Sequence, residues 1–160
     1  MIMPRLLLVL ALIFGALPWA ASAGTARQAF VQADGTLKIG QRIVRLHGIY
    51  LPPTNRICRS EIRPTRCASR AALQLDFRVD RFVTCDRVAR LRDGSESAVC
   101  WVRDDGDALG PFVDLAAWML YHGWAVATPG APFEYVTLER IAQQQKRGIW
   151  GFQADRIIFR

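Results

Sequence analysis

Hydrophobic and polar positions alternate with a two-residue period over several short stretches of this chain. Phe30-Val31 and Thr36-Leu37-Lys38-Ile39 flank an Asp34-Gly35 turn, and a Gly40-Gln41 turn leads into Ile43 to Ile49. In that third run, strand alternation puts Ile43, Arg45, His47 and Ile49 on one face and Val44 and Leu46 on the other. Pro52-Pro53 ends the run, because neither residue can donate to a ladder. Two further strand-like runs, Arg81 to Cys85 and Ser97 to Val102, lie either side of the turn residues Asp93-Gly94-Ser95.

Between and after these runs the period lengthens. Ala68, Ala71, Ala72 and Leu75 recur at three- and four-residue spacings, predicting a helix that begins near Thr65. Asp114 reads as the N-cap of a second helix reaching Tyr121, with Gly123 as its stop. A third helix spans about Glu134 to Lys146, and Ile149-Trp150 follows as a packing anchor. One helix therefore follows the third strand and two follow the fifth. That order predicts an α+β fold, a small closed barrel with helices at one end.

The chain's first residues do not belong to this pattern. Arg5, an apolar run from Leu6 to Leu17 and the small residues Ala20-Ala21-Ser22-Ala23 read as a signal peptide over 1-23, cut before Gly24. The run is shorter than the roughly 20 residues of a membrane span. A single exported domain over 24-160 is expected, periplasmic or secreted, with no stable membrane insertion after cleavage.

Export changes how the cysteines read. Cys58, Cys67, Cys85 and Cys100 are even in number and expected to form two disulfides, for which three connectivities exist. Their gaps of 9, 18 and 15 residues do not suit a zinc site. Cys58–Cys67 would close a short arginine-rich loop, and Cys85–Cys100 would join two strands across a turn.

Composition excludes disorder: 51% of the 160 residues are hydrophobic and 22% charged. The net charge of +7 favours anionic partners, either nucleic acid or an acidic polysaccharide. Arg56, Arg59, Arg63, Arg66 and Arg70 concentrate that charge into a candidate anion-binding rim, since guanidinium forks suit phosphate and carboxylate. A loop kept soluble by its charge explains them as well. Asp104, Asp105 and Asp107 lack the alternating spacing of a calcium loop and read as a solvated turn. His122, on an apolar helix, reads as a packed or capped histidine.

Four stretches carry a resemblance: Asp34 to Leu37, Val44 to Pro52, Val113 through Ala125, and Glu139 through Trp150. In their order and spacing the chain resembles the staphylococcal-nuclease-like (thermonuclease) family over about 33-150. The resemblance implies an oligonucleotide/oligosaccharide-binding (OB) fold, a five-stranded Greek-key barrel with three helices. Active members of that family are calcium-dependent phosphodiesterases. Their chemistry needs carboxylates for a hard cation, a carboxylate that activates water, and two arginines for the charge on the phosphoryl oxygens.

Carried across, the strand arginine is Arg45. Tyr50 stands where a metal carboxylate belongs, and Pro53 where the general-base glutamate belongs. Gly35 falls at the metal-binding aspartate, with Asp34 one residue away, a slip that turns a side chain to the opposite face. The second arginine falls at Ser95 or Glu96. Loss of one oxyanion donor costs about 10²–10³ in rate. The resemblance therefore implies a degenerate, non-hydrolytic member that binds an anionic polymer and uses no cofactor. Within the family it is similar to an exported rhizobial type assigned to exopolysaccharide (succinoglycan) biosynthesis. The alternative is a calcium-dependent endonuclease with a rearranged site built from Asp34, Arg45 and His47, the last being the one substitute base on the arginine's strand face.

Overall fold

The computed structural model describes residues 25–52, 57–59, 64–79, 82–104, 110–151 and 153–154, with 57–59, 64–69 and 153–154 described through their backbone alone. Strands β1 (Arg27–Gln28) and β2 (Phe30–Val31) are separated only by the buried Ala29. A hairpin of β3 (Leu37–Ile39) and β4 (Arg42–Leu46) follows. Next come β5 (Ile49–Tyr50), β6 (Ile57–Arg59), β7 (Pro64–Arg66) and helix α1 (Cys67–Val79). The longest strands, β8 (Phe82–Arg90) and β9 (Glu96–Arg103), form a second hairpin. The chain continues through β10 (Phe112–Asp114), α2 (Leu115–Tyr121), β11 (Val126–Ala127) and α3 (Phe133–Gln144). It ends in a 3-10 turn (Gly148–Gly151) and β12 (Gln153–Ala154).

The main sheet runs β1-β8-β9-β4-β3-β2, with β10 added along β9. Its pairs are antiparallel except β4 with β9, which is parallel. Because its edge strands β1 and β2 are consecutive in the chain, the sheet curls into a nearly closed barrel. Alternation sorts side chains to the two faces. Val44 and Leu46 are buried while Arg45 is exposed, and on β9 Ala98, Cys100 and Val102 point inward. Leu75 of α1 and Leu115, Met119 and Leu120 of α2 complete the same core. The result is α+β with three α-helices among the described residues, as the patterning predicts.

Three boundaries depart from the pattern. The strand expected to run unbroken to Ile49 stops at Leu46, because Gly48 adopts φ +73° and turns the chain. Ile49 then lies in β5, paired with β11, and leaves the face of Arg45 and His47. The run expected to end at Cys85 continues to Arg90 through a bulge between Arg87 and Ala89, which leaves Val88 exposed and masks the alternation. The third helix starts at Phe133 and ends at Gln144, since Lys146 takes φ +52°.

Asp114 ties the helices together. One carboxylate oxygen accepts the Ala116 and Ala117 amides at 2.8 and 3.2 Å, capping α2. The other accepts the hydroxyl of the buried Tyr135 on α3 at 2.5 Å. Burial, then this carboxylate, pushes the Tyr135 phenol well above its ordinary value. At the far end of α2, Gly123 has φ +73°, and a Cβ there would lie 2.2 Å from the Arg147 carbonyl oxygen. Only glycine permits that backbone contact.

Cys85 and Cys100 face each other across β8 and β9 and form a disulfide, their Cα atoms 4.1 Å apart. This is the close spacing of a non-hydrogen-bonded antiparallel pair. The Cys58–Cys67 pairing and the 1-23 leader lie outside what the structure describes. No helix among the described residues is long and apolar enough to cross a membrane.

Two measurements test these contacts. Peptide mapping without reductant is expected to recover the Cys85–Cys100 crosslink, and a Cys85→Ala/Cys100→Ala variant to lose about 3 kcal/mol, the loop entropy of a 15-residue closure. Intact protein yielding Cys85 and Cys100 as free thiols contradicts the pairing. Asp114→Ala, which removes the cap and strands a buried phenol, should lower the denaturant midpoint more than Tyr135→Phe, whose cost is about 1–2 kcal/mol. Equal losses would show that Asp114 acts on one helix only.

Candidate functional site

The parallel ladder between β4 and β9 sets Val44 opposite Glu96 and Arg45 opposite Ser97. It extends one residue further, where the His47 amide donates to the Ala98 carbonyl at 2.8 Å. His47 Nδ1 lies 3.0 Å from the Ser97 hydroxyl. Arg45 reaches back to the turn that precedes β9. Its Nε donates to Ser95 Oγ at 3.3 Å and its Nη2 to Asp93 Oδ2 at 3.1 Å.

That turn is built by its own sequence. Gly94 sits at φ +82°, and Asp93 Oδ1 accepts both the Ser95 amide at 3.0 Å and the Ser95 hydroxyl at 2.5 Å. These are the local side-chain bonds that make Asp-Gly-Ser a turn former. The Ser95 hydroxyl, then its amide, hold the Asp93 carboxyl below its ordinary value, and Arg45 adds to the effect. The ion pair itself is half-exposed, with 47% and 52% of the two side chains in solvent. Solvent screens such a pair, so it adds little to stability and its importance is positional.

A second group lies beside it. Arg42 donates through Nε and Nη2 to Glu96 Oε2, and Arg87 Nη1 lies 3.6 Å from Glu96 Oε1. The hydrogen bond from Arg42 holds the Glu96 carboxyl down, with the fields of Arg42, Arg87 and Arg90 acting the same way. Arg42, Arg45, Arg90, Asp93, Ser95 and Glu96 border an open cleft of about 330 Å³ between the two turns.

The other expected residues are placed elsewhere. Asp34 Oδ1 accepts the Thr36 amide at 3.0 Å and lies 2.8 Å from the Thr36 hydroxyl. Gly35, at φ +78°, packs so closely that a Cβ would fall 2.2 Å from Leu51 Cδ2, which brings this turn against the segment bearing Tyr50. Tyr50 is 39% exposed. His122 is packed, as expected, with Nδ1 2.8 Å from the Trp118 carbonyl and its ring stacked on Trp118. Asp104 pairs at 2.8 Å with Arg78, a guanidinium only 7% exposed. Of the arginine rim, Arg70 is exposed on α1. The side chains of Arg56, Arg59, Arg63 and Arg66, and all of Pro53, Asp105 and Asp107, lie outside the described residues.

Arg42, Arg90 and Glu96 were not anticipated. Arg42 shares strand parity with the buried Val44, and Glu96 with Ala98 and Cys100. Charge on the inner face at a barrel's end demands a partner, and that parity was the available signal. Among the described residues no three acidic, histidine or cysteine groups gather closely enough to hold an ion. Asp34 braces its own turn, and Tyr50 offers a phenol where a hard cation asks for a carboxylate. No protein-family model matches the chain, and no curated protein does.

The two depressed carboxyls set an acid limb. Folded Asp93 and Glu96 release protons at lower pH than their ordinary values of 3.8 and 4.5, so the unfolded chain takes up protons first as pH falls. Their contribution is complete above about pH 4.5 and disappears below it. Unfolding midpoints followed from pH 6 to 3 should fall less steeply for Glu96→Gln than for wild type. Parallel acid limbs would remove the Arg42–Glu96 pair from this account.

Proposed function

We propose that this chain is an exported binding or accessory protein, built on an OB-type Greek-key barrel similar to the thermonuclease family, that grips an anionic polymer without cutting it. Strand order supports the barrel type. With β1 and β2 taken as one interrupted strand, that strand pairs with the second (β3) and the fourth (β8), while the third (β4) runs parallel to the fifth (β9). The Cys85–Cys100 disulfide suits an oxidising compartment, periplasmic or extracellular.

One observation carries the loss of hydrolysis. Arg45 is held by Asp93 and by Ser95. A catalytic guanidinium must aim its positive field at oxygens that gain charge in the transition state. Here a carboxylate answers that field, and neither Ser95 nor Glu96, where the family's second arginine falls, carries positive charge. Binding survives the same substitutions. Arg42, Arg45, Arg87 and Arg90 outnumber Asp93 and Glu96 on this face, which leaves a positive surplus for a polyanion. The calcium-dependent alternative asks Asp34 and His47 for chemistry, yet one is bonded to Thr36 and the other to Ser97. A role in exopolysaccharide assembly rests on the resemblance alone.

Purified protein incubated with DNA or RNA and millimolar calcium is expected to show neither cleavage nor thermal stabilisation. It should bind single-stranded DNA or an acidic polysaccharide with an affinity that falls steeply with salt. Enzyme-like cleavage abolished by Arg45→Ala overturns the non-hydrolytic reading. Failure to bind either polymer at low salt overturns the binding reading.

A further inference from the structure

We infer that the cleft between the Gly40-Gln41 turn and the Asp93-Gly94-Ser95 turn is a subsite for one carboxylate-bearing sugar, a uronic-acid unit of an acidic glycan. The inference rests on the anionic-polymer reading and narrows it.

Size comes first. At about 330 Å³ the cleft lies at the lower end of the range, about 300–1,000 Å³, in which proteins seat small molecules. Charge comes next. Three guanidiniums, from Arg42, Arg45 and Arg90, share the lining with the carboxylates of Asp93 and Glu96, leaving a surplus of one positive charge. The signs are interleaved. A backbone with a phosphate at every step would meet the two carboxylates as well as the arginines. An isolated carboxylate flanked by neutral hydroxyl-bearing carbons meets only what it needs.

The available donors are pre-set. Glu96 takes up Arg42 Nε and Nη2, and Asp93 takes up Arg45 Nη2, so both guanidinium planes are held while their Nη1 groups take no part in these bonds. The Arg90 side chain makes no hydrogen bond or ion pair among the described residues, and acts on the Glu96 carboxylate through its field. A planar carboxylate can take paired N–H donors from such forks. Holding the arginines beforehand reduces the entropy lost on binding. Gln41 adds an uncharged polar group for sugar hydroxyls.

The test is a titration of the full chain, labelled with nitrogen-15, with a hyaluronan oligosaccharide (each uronate flanked by neutral sugars), a neutral glucose oligomer and a single-stranded oligonucleotide in parallel. The uronate oligosaccharide should shift the Gly94 and Ser95 amides and the Arg42 Nε signal, and the neutral oligomer should not. Arg90→Gln, which breaks no internal bond, should weaken uronate binding about tenfold, as expected for loss of a charged hydrogen-bond donor. Lys38→Gln removes the same charge from an exposed position on β3 outside the cleft, and should change affinity by under about twofold. Uronate that binds without moving Gly94 and Ser95 sinks the subsite and leaves the anionic-polymer reading standing. Shifts at those amides with oligonucleotide and not with uronate give the cleft to nucleic acid instead. No binding of any anionic polymer removes both readings together.

Discussion

The parallel contact between β4 and β9 is the constraint on which the other features rest. It joins the early hairpin to the late one across about fifty residues of chain, with Val44, Arg45 and Leu46 matched to Glu96, Ser97 and Ala98. Without it the two hairpins are joined only through the short β1–β8 pairing, and each keeps an exposed apolar face and an unpaired edge. With it, Val44 and Leu46 meet Ala98 and Cys100 inside a barrel, and the helices have a surface to cover. The same register sends Arg45 outward beside the 93–95 turn. Core and candidate site are therefore two faces of one ladder, and a slip of one residue would exchange them.

At the helical end, backbone and carboxylate chemistry do comparable work. Asp114 closes β10, caps α2 and receives Tyr135 from α3, so one side chain sets the angle between two helices. The Gly123–Arg147 contact sets their separation at the other end, reinforced by the Ile149 amide donating to the Gly123 carbonyl at 2.8 Å. These contacts lie away from the cleft and hold the scaffold that presents it.

What could be read beforehand follows the range of the interaction. The Asp114 cap, the Gly123 stop and the Asp93-Gly94-Ser95 turn are local chemistry, legible because each residue type bonds its own neighbours. The alternation of Val44 and Leu46 against Arg45 was legible for the same reason. The break at Gly48 was not: the run of β-favouring residues around it continues, and a single positive φ decides the outcome. The bulge near Val88 and the short strands β5 and β11 depend on partners far along the chain. The site divides likewise. Arg45 was singled out by the family resemblance, whereas its ties to Asp93 and Ser95 exist only once β4 lies against β9. Arg42 and Glu96, fifty-four residues apart, showed only as charges at inward-facing parity.

The fate of Arg45 separates binding from catalysis on physical grounds. A guanidinium that stabilises a transition state must strengthen its interaction as charge develops, and a carboxylate already facing it offsets part of its positive field. Asp93 satisfies it in the resting protein, and Ser95 in turn holds Asp93 in place, so the arginine's response to incoming charge is weakened before any substrate arrives. Binding carries no such requirement. An anion added to an already braced arginine gains the hydrogen bonds still open on the guanidinium edge and loses little conformational freedom. The carboxylates that blunt a reaction field thus also fix where the remaining donors point. On the reading proposed above, an arrangement of this kind would recognise a charge at a set position and leave the covalent bonds beside it intact.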